Sequence, residues 1–342
     1  MKNIWSPRLQ SGVTIYKRTP PNGYGGIERI VYTLTEQLIK DGHEVTLFAT
    51  PGSYCSGKTI EVKGYDPSKA PSCIIKKTDK ISEEPLYLAM KEYLMNHPVD
   101  IIHDWSFDNL FVLRHPERFP FVITTCIPNP PGYKRPNLVT VSRIHAKILG
   151  GKTKNVHTGI DLDNWPYSYK KNEHFVHIAK IAKYKAQHLA IFAARKSDKK
   201  LIIAGNIENQ RYFNFIIKPL LWISPKIKYI GEIKRASDYL CNATALIQTP
   251  KWFDTFPYVI LESLASATPV ISFAEGGVPE QIEHGVNGFL CKTLDDLIEA
   301  MERIHEIKPE NCRAYAEEHF SVKRMARDYY EIYQSVIEGE TW

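Results

Sequence analysis

Two acidic residues, Asp254 and Glu262, stand eight positions apart in the stretch WFDTFPYVILES, which covers residues 252–263. Pro257 lies between them, and the apolar run that follows predicts a helix beginning near this proline. Asp254 would then lie in the preceding loop, with Glu262 one to two turns inside the helix. Carboxylates placed in this way can reach different parts of one extended ligand, and sugar hydroxyls are suitable hydrogen-bond partners for them. The spacing alone is not specific, so the pair needs supporting features.

Two lysines form a second candidate group. Lys180 and Lys185 flank the start of a predicted helix at 184–196, just after a predicted strand at 175–179. Two ammonium groups beside a helix N-terminus repel one another unless an anion lies between them, which favours a phosphate or diphosphate ligand. Two independently solvated lysines are the alternative.

A glycine cluster, Gly23, Gly25 and Gly26, comes directly before a predicted helix that begins near Ile27. A helix N-terminus approached by residues without a Cβ can bind an anion, although a plain turn is the alternative. The order G-Y-G-G-I-E does not match G-x-G-x-x-G, and the cluster lies far from residue 1 for the turn after a first strand. Both observations argue against a dinucleotide-dependent oxidoreductase.

Short β-rich apolar runs alternate with longer segments of helical periodicity along the chain. Because such an alternation requires crossover connections, each half is expected to be a parallel sheet covered by helices on both faces. The fold class predicted is α/β, with two Rossmann-like doubly wound domains that face each other across a ligand-binding cleft. The predicted strands are 43–50, 100–104, 120–125, 137–142, 175–179, 200–205, 227–231, 244–249 and 269–273, and the predicted helices are 27–41, 85–97, 184–196, 209–222 and 258–267.

Composition is typical of a soluble globular protein, since 43% of the 342 residues are hydrophobic and 24% are charged with mixed signs. No apolar run approaches the ~20 residues that span a bilayer, and the first residues have no apolar segment of the signal-peptide kind. We expect a cytoplasmic protein that could also associate with a membrane surface. The six cysteines are scattered without a CxxC pair and are expected to be reduced thiols.

The positive charge lies mainly in the first half of the chain. Residues 1–150 hold 19 Lys and Arg against 14 Asp and Glu, whereas residues 151–342 hold 25 against 24. This basic N-terminal half could contact an anionic partner or membrane surface, and an ordinary solvated surface is the alternative.

These pieces together resemble the GT-B glycosyltransferases of the retaining family 4 type. The family transfers a sugar from a nucleotide-sugar donor with retention of anomeric configuration. The resemblance covers nearly the whole chain in GYGGIERIVYTLTEQLIKDGHEVTLFAT, DIIHDWS, NLVTVS, VHTGID, HIAKIAKYKAQHLAIFAA, LIIAGN, YIGEI, WFDTFPYVILESLASATPVISFAEGGVPEQIEHGVNGFL and FSVKRMARDYYEIYQ.

The resemblance implies a division into three parts. Residues 1–150 would be the N-terminal Rossmann-like domain on the acceptor side, and residues 151–320 the C-terminal Rossmann-like domain on the donor side. Residues 321–342 would be a helix that returns toward the N-terminal domain. The boundary segment, 150–173, is rich in Gly, Asn, Pro and Lys, as interdomain linkers often are.

The resemblance assigns catalytic and donor-binding roles to the charged residues. Lys180, in the position of a family arginine, and Lys185 would neutralise the departing nucleoside diphosphate. Glu262 would bind the donor ribose, and Asp254 would face the transferred sugar. The leaving phosphate itself would take the proton of the acceptor hydroxyl, so neither a metal nor a cofactor is expected.

Further positions complete the implied site. Gly25 and Gly26 would present backbone N–H groups to the diphosphate, while Gly231 and Ile233 would border the nucleobase. The acceptor would be a glycan, a lipid-linked sugar or a small molecule, with no nucleic acid partner. His103 and Asp104 would face the acceptor side, although the residue pattern favours His103 as a satisfied histidine at a strand end.

Two residues depart from the family pattern in ways that affect chemistry. Cys126 stands where a histidine usually contacts the transferred sugar, and Pro257 replaces a glycine whose backbone N–H meets the phosphate. Two functions therefore stay open: an active transferase, and a catalytically impaired GT-B subunit that binds nucleotide-sugar or acts through a partner. A GT-B epimerase or phosphorylase is a more distant third. Asp161 and Asp163 form the one Asp-x-Asp, which we interpret as a local cap and not a metal site.

Overall fold

The computed structural model describes residues 8–12, 17–23, 25–62 and 82–342. The chain divides into two compact units. Unit 1 consists of Met1–Gly159 and Val322–Trp342, and unit 2 is Ile160–Ser321. The sequence placed the first boundary at 150, within the segment that the structure assigns to unit 1.

Unit 1 contains a seven-stranded sheet in the order β3-β2-β1-β4-β5-β6-β7. Every strand pairing recorded for the described residues of this sheet is parallel. Parallel neighbours need crossover connections, and among the described residues four of the six connections between consecutive strands contain a helix. The strands are β1 (Arg8–Gly12), β2 (Glu44–Ala49), β3 (Lys58–Glu61), β4 (Ile101–Asp104), β5 (Phe121–Thr125), β6 (Leu138–Thr140) and β7 (Lys154–Asn155), and the helices are α1 (Gly26–Lys40), α2 (Glu84–Leu94), α3 (Leu110–Arg114) and α4 (Arg143–Leu149).

Unit 2 contains a six-stranded sheet in the order β10-β9-β8-β11-β12-β13, again with parallel pairing. Its strands are β8 (His174–Ile178), β9 (Lys200–Ala204), β10 (Ile227–Tyr229), β11 (Ala245–Gln248), β12 (Val270–Phe273) and β13 (Gly288–Cys291). Its helices are α5 (Gln187–Lys196), α6 (Gln210–Tyr212), a π-helical turn (Phe213–Ile217), α7 (Lys218–Trp222), α8 (Ser237–Leu240), α9 (Tyr258–Ala265), α10 (Leu294–Arg303) and α11 (Pro309–His319), with 3-10 turns at Lys183–Lys185, Val278–Glu280 and Ile304–Glu306.

The last helix, α12 (Val322–Ile337), belongs to unit 1. Its buried side chains Tyr329 and Tyr333 join a polar network inside the unit. The two ring nitrogens of His103 on β4 make hydrogen bonds of 2.7 Å with the Tyr333 hydroxyl and with Thr124 Oγ1. Thr124 is also 3.1 Å from the Tyr329 hydroxyl. These bonds satisfy polar groups that would otherwise be costly to bury, and they attach α12 to the sheet.

The predicted fold class is confirmed for both sheets, and each predicted strand has a counterpart in the structure. The sequence did not predict β1, whose residues RLQSG lack an apolar run. With β1 in place, the glycine cluster does lie between the first strand and the first helix. The argument that it stands too far along the chain for that position was therefore wrong.

Two glycines allow close backbone approach at the edge of unit 2 that carries the charged residues. A Cβ on Gly205, just after β9, would lie 1.9 Å from the carbonyl oxygen of Ala179. A Cβ on Gly276 would lie 2.1 Å from the carbonyl oxygen of Asp254, and the Gly277 N–H donates to that same oxygen at 2.8 Å. The loop that holds Asp254 is thus packed directly against a residue without a side chain.

The buried histidines predict acid sensitivity. Burial lowers the pKa of His103 and of His177 to about 3, so both are neutral in the folded protein. In the unfolded chain a histidine binds a proton as the pH falls through about 6.5. The contribution of each buried histidine to the free energy of unfolding is therefore fully present above that pH and falls as the pH drops toward 3. We expect a loss of about 2 kcal/mol per histidine at pH 5 in urea unfolding. His103→Gln should flatten this slope and exposed His305→Gln should not; equal slopes in all three proteins would contradict the prediction.

Gly276→Ala should destabilise unit 2 by about 3 kcal/mol, because the methyl group meets the Asp254 backbone. Gly285→Ala is the matched control, since Gly285 also has a positive φ but nothing lies within 4 Å of its would-be Cβ. The control should lose only about 1 kcal/mol from backbone strain. Chemical unfolding measures both, and equal losses would show that the contact with Asp254 is unimportant.

Candidate active site

The charged residues of unit 2 follow three neighbouring strands. Lys180 follows β8, Glu208 follows β9, and Asp254 follows β11, and these strands are adjacent in the order β9-β8-β11. The carboxyl ends of parallel strands meet at one edge of a sheet, where ligands of open α/β sheets bind. The structure therefore gathers residues that are far apart in sequence into one candidate site.

Lys185 and Asp254 form an ion pair between Nζ and Oδ2. Lys185 ends the 3-10 turn before α5, and each of the two side chains is only 14% exposed. The Lys185 ammonium also lies 5.6 Å from the ring centroid of Trp252 and 5.9 Å from that of Tyr184. An aromatic face attracts a cation, so both rings and Asp254 help to hold Lys185 in place.

Lys180 lies 3.3 Å from Oε2 of Glu208, and the Tyr184 hydroxyl donates to the same oxygen at 3.0 Å. The sequence argument required an anion between Lys180 and Lys185 to offset their repulsion. That requirement was wrong, because each lysine is paired with a carboxylate of its own. Glu208 was missed because it lies in a polar loop; its position just after a strand was the available signal.

The remaining donor-side residues lie along the same unit. Helix α9 begins at Tyr258 after Pro257, as predicted, and Glu262 lies inside it with a buried side chain. Gly231 follows β10 with φ of 80°, and its carbonyl oxygen accepts from the Gly205 N–H at 2.8 Å. Ile233, two residues further on, is partly buried. The assignment of ribose and nucleobase contacts to these residues stays a prediction.

In unit 1, a cavity lies at the carboxyl end of β5. Ile27 of the first turn of α1 and Cys126, directly after β5, both line it. Gly25 precedes α1, and a Cβ on it would lie 2.7 Å from Cβ of Pro21, whereas a Cβ on Gly26 would meet nothing within 4 Å. The open space beside Gly26 leaves the start of α1 accessible, and the diphosphate role of both glycines stays a prediction.

Cys126 is held as a neutral thiol. Burial raises its pKa well above the usual range, and the charge of Glu28 in the first turn of α1 raises it further. The thiolate is the nucleophilic and metal-binding form of cysteine, and the raised pKa disfavours that form in Cys126. A neutral thiol is a small, weak hydrogen-bonding group, and the role of Cys126 toward a sugar stays a prediction.

His103 and Asp104 are both buried at the end of β4. His103 uses its two ring nitrogens within unit 1, which is the geometry of a satisfied strand-end histidine. Asp104 accepts from the Ser106 N–H at 2.8 Å, and burial raises its pKa. An acceptor contact by His103 would require breaking an internal hydrogen bond, so its acceptor-side role has no support from this geometry.

Three residues near this cavity escaped the sequence analysis. Glu83 accepts from the N–H groups of Phe107 and Asp108 at 2.9 and 2.7 Å, and burial raises its pKa to about 7. Trp105 and Asn109 line the cavity, and the buried Trp105 Nε1 and Asn109 Oδ1 have no hydrogen-bond partner within the described part of the chain. Polar atoms of this kind are able to bind a ligand.

The Asp-x-Asp segment makes local contacts. Asp161 Oδ2 accepts from Asn164 Nδ2 at 2.8 Å, as expected of a residue that stabilises a turn. Over the described residues, no group of three or more His, Cys, Asp and Glu side chains is arranged to hold a metal ion.

Comparison with protein families matches two models. Residues 24–150 match "Glycosyltransferase Family 4", and residues 164–319 match "Glycosyl transferases group 1". The boundary between the two matches falls near the division between the structural units. Within the described residues, no helix is long and apolar enough to cross a membrane.

Solved structures show the same fold over almost the whole chain. AviGT4, a glycosyltransferase involved in avilamycin A biosynthesis, has a TM-score of 0.77 at 20% identity, covering 98% of this chain and 100% of its own. HepE of Anabaena, crystallised with UDP-glucose, has a TM-score of 0.71 at 16% identity, covering 96% and 100%. At these identities the likeness establishes the fold.

Among curated proteins, the N-acetyl-alpha-D-glucosaminyl L-malate synthase of Bacillus anthracis is 25% identical over 177 residues, which is 48% of this chain and 46% of the relative. The chain spans about half the length of the curated relatives it matches, or less. Taken with the two family matches and the shared fold, these findings show that the chain belongs to the GT-B glycosyltransferases of the group 1 and family 4 type.

Proposed function

We propose that this protein transfers a hexose from a nucleotide-diphosphate sugar to an acceptor hydroxyl, with retention of configuration and without a metal ion. The observation that carries the proposal is the pair of lysines at the carboxyl edge of unit 2, each paired with a carboxylate. UDP-glucose is the donor we would test first, because it is bound by the structural neighbour HepE.

The lysines would act on the leaving group. As the glycosidic bond breaks, negative charge develops on the β-phosphate, and cations already fixed nearby stabilise that charge most in the transition state. Lys185 is confined by Asp254 and two aromatic rings, and Lys180 by Glu208. The donor diphosphate would take over part of each ammonium's hydrogen bonding from these carboxylates.

The two acids of the 252–263 stretch would hold different parts of the donor. Asp254, in the loop before α9, would be released from Lys185 by the diphosphate and would then face the transferred sugar. Glu262, buried one turn into α9, would accept hydrogen bonds from the ribose hydroxyls. Carboxylates in partly buried positions make strong hydrogen bonds with hydroxyl groups, which supports this division of roles.

The proton of the acceptor hydroxyl would pass to the leaving phosphate on the same face of the sugar. This route needs no side-chain base, and it is compatible with the internal hydrogen bonds of His103 and Asp104. With two lysines to offset the diphosphate charge, a divalent cation is not needed for charge neutralisation. The acceptor, whether glycan, lipid-linked or small molecule, would meet unit 1. The cavity lined by Cys126 offers Trp105 Nε1 and Asn109 Oδ1, which have no hydrogen-bond partner among the residues that the structure describes.

A second candidate function is a catalytically impaired subunit that binds nucleotide-sugar. Two observations favour it: Cys126 is a neutral thiol where the family pattern has histidine, and Pro257 has no N–H to offer at the start of α9. The first N–H groups of that helix belong to Tyr258 and Val259, which follow the proline and could still meet a phosphate.

Donor binding and turnover test the proposal directly. We expect calorimetric titration to show binding of a nucleoside diphosphate, with UDP preferred over GDP and ADP. Hydrolysis of the corresponding sugar donor should continue in excess EDTA, because the lysines and not a metal carry the phosphate charge. Binding without hydrolysis or transfer would favour the impaired subunit, and hydrolysis abolished by EDTA would contradict a metal-independent mechanism.

The two acids should differ in their effects. Glu262→Gln should mainly weaken donor binding, raising KM about tenfold, because it loses ribose contacts that are made in the ground state and in the transition state alike. Asp254→Asn should mainly lower kcat, by about 100-fold, because the charged carboxylate that would face the transferred sugar in the transition state is lost. Exposed Glu302→Gln on α10 is the matched control and should change neither constant. Small and equal effects of both site variants would contradict the assigned roles.

A further inference from the structure

One exposed apolar surface of unit 2 is not explained by the glycosyltransferase site. Phe215, Ile216, Trp222 and Ile223 are 75%, 43%, 89% and 54% exposed, and together we name them the Trp222 patch. Large apolar side chains are rarely left in water as a group without a binding partner. We therefore expect the patch to bind a partner.

These side chains come from one helical segment, in which Phe215 and Ile216 lie in the π-helical turn, Trp222 ends α7 and Ile223 follows it. The segment is anchored, because Tyr212 and Ile217 are buried and the Tyr212 hydroxyl accepts from the His188 N–H on α5 at 3.1 Å. The exposed side chains therefore belong to an ordered segment that also contributes side chains to the core.

The charged residues of the chain segment that carries the patch are all basic. Residues 209–231 contain Arg211, Lys218, Lys226 and Lys228 and no Asp or Glu. Lys226 is paired with Asp198, which comes from the turn after α5. Arg211, Lys218 and Lys228 are exposed, and we name these three cations of the same chain segment the basic rim.

We propose that the Trp222 patch docks unit 2 onto the surface of a membrane that contains anionic lipids. Helical surfaces that carry Trp, Phe and Ile on one face with Lys and Arg beside them lie in the interfacial layer of a bilayer. The indole of Trp222 suits that layer because it is apolar with one polar N–H. The basic rim would contact the lipid phosphates, each lysine or arginine adding electrostatic attraction.

Charge argues against a second copy of this chain as the occupant. In a twofold dimer the same patch meets itself, which would bring Lys218 and Lys228 toward their own copies without an acid from residues 209–231 to offset them. An anionic surface complements the rim instead. The proposal does not depend on the glycosyltransferase activity, and it differs from the expected contact through the basic N-terminal half.

Vesicle flotation tests the proposal with the full chain. We expect the protein to float with vesicles of phosphatidylcholine and phosphatidylglycerol in equal parts, and to stay in solution with phosphatidylcholine alone. The double variant Phe215→Ser with Trp222→Ser should reduce the bound fraction about tenfold, because it removes the two largest inserting side chains. Both side chains are exposed, so the fold should persist, which circular dichroism would check.

The matched control is the double variant Leu88→Ser with Met95→Ser in unit 1, since these apolar residues are 56% and 49% exposed without belonging to the patch. It should bind vesicles as the unmodified protein does. A charge variant, Lys218→Glu with Lys228→Glu, should weaken binding to the anionic vesicles about tenfold, and added salt should do the same.

Several outcomes would overturn the proposal. The first is failure of the unmodified protein to float with anionic vesicles, and the second is binding by the patch variant that equals binding by the unmodified protein. The third is loss of binding in the Leu88 and Met95 variant alone, a result that would assign docking to unit 1. A dimer in light scattering that the patch variant converts to a monomer, with vesicle binding unchanged, would identify a second copy as the occupant.

Discussion

The candidate site depends on parallel strand pairing, because only this arrangement brings the carboxyl ends of β9, β8 and β11 to one edge. Lys180, Glu208 and Asp254 are separated by many residues in sequence and meet because each follows one of these strands. The close approach at Gly276 then sets the height of the Asp254 loop above the sheet. A change in the strand pairing or in the close approach at Gly276 would shift the charged side chains of the site relative to one another.

The second constraint is that partly buried ammonium groups need anionic partners. Glu208 and Asp254 meet this need for Lys180 and Lys185. In the proposed reaction, a diphosphate, which carries the same kind of charge and more oxygen acceptors, would replace these carboxylates as the partner of each lysine. The ion pairs would then hold the cations in position beforehand, which is the preorganisation that charge stabilisation in a transition state requires.

The sequence predicted the sheets well because buried parallel strands are continuous apolar runs, such as those of β9 and β12. It did not predict β1, β3, β7 or β13. The residues of β1, RLQSG, lack an apolar run, and its place inside the sheet comes from pairing with β2 and β4. Lys185 and Asp254 were both identified, but not their ion pair, because that contact depends on how two loops approach in space. Glu208 was missed, and the hydrogen bonding of His103 was left open, because these contacts also depend on how distant parts of the chain approach in space.

Site and patch share one stretch of chain. Glu208, the partner of Lys180, begins the segment that runs through α6, the π-helical turn and α7 to Trp222, about 20 Å away along a helical path. The π-helical turn between α6 and α7 adds a residue to one helical turn and so changes which side chains face outward. Such turns are often found at functional positions. Because the Tyr212 hydroxyl accepts from an N–H of α5, the segment that carries the patch is anchored, through Tyr212, to the helix that follows Lys185.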